Sequence, residues 1–197
     1  MDLEQDPHRD KYAIERVARF VSMIPYIEDL RMFQDLPDLW TTTQEFFDLG
    51  GGDYEEHAIV LANYFLYIDK KQGKEYKSYI VCGHGMPAGK MVFVMRKKSE
   101  ADGSFELWDP LTGQCYWFHN IIEPTKFCGI SIGSASHLDV RLTDPICPLR
   151  QIHTVVGENN VWVNLQNSDY PLLMNFNFTN AKAWKKFYST DTPQVTN

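Results

Sequence analysis

Gly50-Gly51-Gly52-Asp53-Tyr54-Glu55-Glu56-His57-Ala58-Ile59-Val60-Leu61-Ala62-Asn63-Tyr64-Phe65-Leu66-Tyr67-Ile68 is the stretch that decides the fold. The glycines stop the preceding element, and Asp53 is placed to cap a new helix. Glu56, three residues on, completes a reciprocal capping pair. Glu55 and Glu56 put negative charge in the first turn, where the helix dipole favours it. Ala58, Ile59, Leu61, Ala62, Phe65 and Leu66 form a wide apolar stripe, so the helix predicted over Asp53–Ile68 is buried and central. No Gly-Lys-Ser/Thr follows the glycines, so they read as a flexible helix stop and not as a phosphate loop.

Upstream, Ile14, Val17, Ala18, Val21 and Ile24 recur at helical spacing, which predicts a helix from Asp10 to Ile24 with Pro25 as its stop. A second short helix is predicted over Leu39–Leu49. It carries Trp40, and Thr41 and Gln44 stand at capping-box spacing. Downstream the period changes from 3.6 to 2. Strands are predicted over Tyr76–Cys82, Met91–Arg96, Phe105–Asp109, Gln114–Phe118, Asn160–Gln166 and Leu172–Phe178. Asp102-Gly103 and Leu111-Thr112-Gly113 are tight-turn signals between neighbouring strands, and tight turns imply antiparallel pairing. A final amphipathic helix is predicted over Ala181–Tyr188. Helices first, then a run of antiparallel strands, define an α+β fold.

The 197 residues suffice for one domain with its own core, and neither a repeat nor a low-complexity tract divides them. No apolar run reaches about 18 residues, which excludes a spanning helix, and no secretory leader pattern opens the chain. Cys82, Cys115, Cys128 and Cys147 lack C-x-x-C and zinc-ligand spacing, which suits reduced thiols of a cytosolic protein. The sequon Asn177-Phe178-Thr179 falls in a strand pattern without a secretory context and is discounted. The net charge of −7 is uneven: residues 1–57 hold 14 acidic and 5 basic side chains, and the remainder is near neutral. Nucleic acid is thereby excluded as a partner, because its affinity comes mainly from Lys and Arg on phosphate. Glu55, Glu56 and His57 do not form a metal site, because consecutive helix residues diverge. No cofactor or metal is expected.

A buried helix opened by Gly-Gly-Asp-Tyr-Glu-Glu-His, a strand with Met91-Val92-Phe93-Val94, and a strand ending Leu107-Trp108-Asp109-Pro110-Leu111-Thr112-Gly113 together resemble the transglutaminase-like, papain-like cysteine peptidase fold. In that family a cysteine begins the helix, a histidine lies on the next strand, and an acid follows on the strand after it. A helix N-terminus lowers a thiol's pKa, the histidine takes its proton, and the acid orients the imidazole. The resemblance places Tyr54 at the cysteine position, Met91 at the histidine position and Asp109 at the acid position. A phenol, with its pKa near 10, is a poor nucleophile at neutral pH, and a thioether has no proton to exchange. The resemblance therefore implies a pseudoenzyme, with no catalytic residues.

Further blocks narrow the resemblance. Arg19-Phe20-Val21-Ser22-Met23-Ile24-Pro25, Asp38-Leu39-Trp40, Glu55-Glu56-His57-Ala58, Asn63-Tyr64-Phe65-Leu66, Asn160-Val161-Trp162-Val163-Asn164 and Ala183-Trp184-Lys185-Lys186-Phe187 look like the C-terminal domain of the coiled-coil and C2 domain-containing 2A family. That resemblance implies one transglutaminase-like domain over 1–197, cut from a longer scaffold of the ciliary transition zone. The implied location is cytoplasmic, at the cilium base. The implied partners are other transition-zone proteins of the Meckel-syndrome-type complex, or a peptide segment held in the old cleft. Tyr54, Met91, Asp109, Trp108 and Trp40 are the candidate groove residues, since aromatic and Met side chains favour adaptable protein contacts. Two other readings stand beside this one. Cys82 and His84, two apart on one strand face, would make a thiol–imidazole pair in an active thiol peptidase or transglutaminase. Alternatively, the domain is purely structural and its cleft is packed shut.

Overall fold

The structure, a computed structural model, describes residues 7–33, 38–87, 89–98, 104–119 and 147–190. The helices are α1 (Pro7–Ser22), α2 (Asp29–Met32), α3 (Thr43–Leu49) and α4 (Tyr54–Lys71). The strands are β1 (Lys77–Gly85), β2 (Gly89–Lys97), β3 (Ser104–Trp108), β4 (Cys115–His119), β5 (Leu149–Val156), β6 (Val161–Asn164) and β7 (Trp184–Lys186). All seven belong to one antiparallel sheet in the order β4-β3-β2-β1-β5-β6-β7. The α+β architecture is as the sequence predicts. The Asp102-Gly103 turn lies outside the described residues.

Helix α4 begins as its sequence dictates. The Asp53 side chain accepts the Glu55 amide, the Glu56 side chain accepts the Asp53 amide, and Lys70 and Lys71 sit in the last turn. Its apolar stripe packs with Ile14, Ala18 and Val21 of α1 against one face of the sheet, where Ile80, Val92, Val94 and Trp108 meet it. The other face carries Tyr79, Val81, Met91, Phe93, Met95, Phe105 and Leu107. It is covered by Met174, Phe176, Phe178, Ala183 and Trp184. The sheet is thus the middle layer, with helices on one side and an irregular C-terminal segment on the other.

Several local expectations are corrected. The first helix runs Pro7–Ser22, and the Phe20 and Val21 carbonyls accept the Met23 and Ile24 amides in a turn before Pro25. The capping box of α3 is one residue later than its spacing suggested: Thr42 caps and Glu45 reciprocates, and Gly50 closes the helix in the left-handed conformation at φ 75°. Gly51 and Gly52 are not a flexible stop. A Cβ on Gly51 would meet the Pro25 carbonyl oxygen at 2.6 Å, and one on Gly52 would meet Phe46 at 2.8 Å and Glu56 at 2.9 Å. They are small because the chain at Tyr26 pairs with Gly52 in a close parallel bridge. Leu172–Phe178 is no strand: Pro171–Leu173 is a 3-10 turn, and residues 174–178 are irregular chain. Ala181–Tyr188 is no helix, because turn residues lead into β7, leaving Trp184 buried and Phe187 exposed.

Candidate functional site

The head of α4 is the centre of the site. Tyr54 is the first helical residue and is half-buried, with its ring 5.3 Å edge-on from that of Tyr26. Burial first, then the Asp109, Asp53 and Glu55 charges, push its phenol above the ordinary tyrosine pKa. It is therefore a neutral hydrogen-bonding group at pH 7. Asp109 stands just past β3, where its Oδ1 accepts the Leu111 amide at 2.9 Å and starts a tight turn. The turn is closed by Gly113 at φ 72°, where a Cβ would meet the Ala18 carbonyl oxygen at 3.1 Å. That close approach holds the Asp109 loop against α1.

Met91 does not belong to this site. The β1–β2 register pairs Met91 with Gly83 and Val92 with Cys82 without a bulge. Alternation then sends Met91 to the face away from α4, beside Phe93 and Tyr79, and Val92 to the face that α4 covers. Met91 is thus kept from the head of α4, because neighbouring residues of a strand occupy opposite faces. Trp108 faces α4, but as core. It is buried, lies 5.3 Å edge-on from Phe65, and donates its indole N–H to Glu106 Oε2 at 2.8 Å.

Trp40 is not on a helix. It lies half-exposed in the extended segment before α3, between two amides that buried carboxylates hold. Leu39 N–H donates to Asp29 Oδ2 at 2.5 Å, and Thr41 N–H donates to Glu56 Oε1 at 3.0 Å. The alternation of an extended chain leaves the Trp40 ring outward. Tyr26, Trp40 and Tyr54 thus give the head of α4 an aromatic surface, of which the sequence had not signalled Tyr26. Periodicity could not find it, because Tyr26 occupies a bridge outside any regular element.

Cys82 faces α4, opposite Val92, but burial together with the Glu55 and Asp38 charges pushes its thiol up to about 12. Among the described residues, neither Cys82 nor Cys115 hydrogen-bonds a histidine ring. His84, expected as the partner of Cys82, instead sets its Nδ1 2.9 Å from Nε2 of His153 on β5. His57 is fully buried, with Nδ1 2.6 Å from the Asp53 carbonyl and Nε2 3.1 Å from the Ile24 carbonyl. It ties the start of α4 to the end of the Ser22–Ile24 turn and is a packed residue.

The capping carboxyls are unusual acids. Burial pushes Asp53 and Glu56, neighbours in the cap, up to about 7. Folding therefore tightens their hold on protons, and that contribution is complete below about pH 4 and lost as pH rises through about 7. Urea unfolding of the chain in a chelating buffer is expected to show stability falling from pH 5 to pH 7.5. Glu56→Gln, which keeps an acceptor for Thr41, is expected to flatten that slope.

A helix head set against an antiparallel sheet, with an acid on the strand-end turn beside it, defines the class of transglutaminase-like, papain-like peptidase folds. Calcium-bound LapG of Legionella pneumophila superposes with a TM-score of 0.54 over 87% of this chain and 77% of that one, at 15% identity. A second LapG structure gives 0.51 over 84% and 74%, at 14% identity. Within that class the chain belongs to the CEP76 peptidase-like domain family, whose pattern matches residues 38–187. It is 28% identical to Protein CC2D2B of Homo sapiens over 179 residues, 91% of this chain and 10% of that protein. It is 23% identical to Coiled-coil and C2 domain-containing protein 2A of Drosophila melanogaster over 180 residues, 91% of this chain and 11% of that protein. The chain thus spans about a tenth of the length of the curated relatives it matches. The resemblance read from Arg19–Pro25 onward is borne out at the level of family. Among the described residues, no helix is long and apolar enough to cross a membrane.

Proposed function

We propose that this peptidase-like domain is a pseudoenzyme that holds a peptide segment of a protein partner at the head of α4. The observation that supports it is the phenol of Tyr54 where a thiolate relay needs sulfur, kept neutral by its surroundings. Val92, the neighbouring strand's residue toward α4, is aliphatic and cannot accept its proton. Asp109 has no imidazole to orient; it is 8% exposed and spends Oδ1 on the Leu111 amide, which leaves its other oxygen to receive a partner's N–H group. The exposed rings of Tyr26 and Trp40 supply apolar anchors of the kind that dominate protein contacts. Similarity to the CC2D2 proteins suggests the setting: a scaffold of the ciliary transition zone, with other proteins of that zone as partners.

Two measurements test the proposal. Cys82 is expected to react with a thiol electrophile at pH 7.5 about a thousandfold more slowly than an ordinary exposed cysteine, as the thiolate fraction dictates. Fast labelling of Cys82 that His84→Ala abolishes restores the thiol-enzyme reading. In parallel, Tyr54→Ala/Asp109→Asn is expected to lose at least about tenfold in retention of transition-zone proteins, with its unfolding midpoint intact. Retention unchanged by that pair leaves only a structural role for the domain.

A further inference from the structure

Asp29, Asp53 and Glu56 each bring a carboxylate oxygen to within 4.8 Å of the other two. Asp29 is 3% exposed and Glu56 1%. Backbone amides take up part of this cluster: Thr41 and Asp53 donate to Glu56, Leu39 donates to Asp29 Oδ2, and Glu55 donates to Asp53 Oδ1. Two buried oxygens are left without a partner. One is Asp29 Oδ1. The other is the hydroxyl oxygen of Thr41, a residue 7% exposed whose own amide is held by Glu56. Among the described residues, no lysine or arginine pairs with any of the three carboxylates. Both ring nitrogens of His57 are directed at backbone carbonyls instead. The partial positive charge of the α4 N-terminus, about half an elementary charge, falls well short of three carboxylates.

We propose that Asp29, Asp53, Glu56 and the Thr41 hydroxyl bind a calcium ion. Every available donor is oxygen, which selects a hard cation over zinc. Backbone hydrogen bonds fix these side chains in place, which suits calcium's 6–8 oxygens in irregular geometry better than the near-ideal octahedron magnesium demands. The ion gives Asp29 Oδ1 and Thr41 Oγ1 the partner they lack among the described residues and sets positive charge beside three acids. It fastens three separate pieces of chain: α2, the Trp40 segment and the head of α4. This site stands independently of the peptide-binding proposal, since calcium binding is read without any partner.

The test uses the chelator-stripped chain. Calcium at 1 mM is expected to raise its unfolding midpoint by several degrees, magnesium at the same concentration by less than half as much, and terbium luminescence is expected to titrate to one site. Asp29→Asn, which keeps an acceptor for Leu39, is expected to abolish both signals. Thr41→Val, which keeps the amide to Glu56, is expected to weaken calcium about tenfold. Absence of any shift or terbium signal in the stripped chain means that the cluster holds a proton instead, and overturns the proposal. Equal binding by Asp29→Asn, or by Thr41→Val should the former fail to fold, places the ion elsewhere and also overturns it.

Discussion

Arg96→Met is expected to destabilise the domain by about 3–5 kcal/mol, the cost of leaving buried carboxylates unpaired. Arg96, 5% exposed on β2, donates Nε to Asp69 Oδ2 at 2.8 Å and Nη2 to Asp69 Oδ1 at 2.5 Å. Its Nη1 reaches both Glu106 oxygens at 3.3 Å. Its guanidinium also stacks 3.7 Å from the Tyr76 ring centre, and Glu106 in turn accepts the Trp108 indole. Asp69 lies on α4, so this one side chain ties the helix to two strands. Methionine fills much of the volume but strands two acids that are both almost fully buried. Urea unfolding measures the loss, and adding Asp69→Asn and Glu106→Gln to the variant is expected to return part of it, since the penalty belongs to the orphaned charges. A loss below about 1 kcal/mol for Arg96→Met would show that the network is solvated.

Gly83→Ala is expected to cost at least about 3 kcal/mol, at the upper end for overpacking. A Cβ there would stand 1.7 Å from the Gln151 carbonyl oxygen, a backbone atom of β5 that no rotamer change can move. The pairing of β1 with β5 shifts register between Cys82 and Gly83 and again between His84 and Gly85, so the strands approach closely there. Thermal unfolding should show the loss, and amide exchange should report the opening of β5 first. Gly50→Ala provides the contrast. Nothing lies within 4 Å of its Cβ, and only its φ of 75° resists the change, at a cost of about 1 kcal/mol. A Gly83 variant no worse than the Gly50 one would refute the steric argument.

The same bulges explain what the sequence concealed. In β5 the buried residues are Leu149, Ile152 and Val155, spaced by three because the shifts break alternation. The period-2 reading therefore passed over a strand at the centre of the sheet. Met174, Phe176 and Phe178 alternate as a strand should, and they are buried as alternation implies. What alternation cannot specify is hydrogen bonding. Here Gln166 and Asn175 side chains bond the amides of Asn175 and Asn177, and Asn177 bonds that of Thr179, in place of a neighbouring strand. The spacing of Trp184, Phe187 and Tyr188 imitated a helix because three residues with apolar bulk suffice to fit either period.

Helix α4 was legible because its signals are local: cap, first-turn acids and stripe agree within one segment. The aromatic and acidic surroundings of its head were not, because Tyr26, Asp29 and Trp40 reach it from bridges and extended chain that carry no period. Tyr54 and Asp109 were found by matching blocks to a fold family, and the structure brings them within electrostatic reach of each other. Block matching could not tell which side of β2 Met91 occupies, because a motif aligns letters, whereas the sheet assigns sides.

Parity along β2 also sets what a substitution there would meet. Val92 shares its side with Ile80, Cys82 and Val94, so a polar group put in its place would enter the layer between sheet and helices. The same group at 91 would be stored on the reverse of the sheet, among Phe93 and Tyr79.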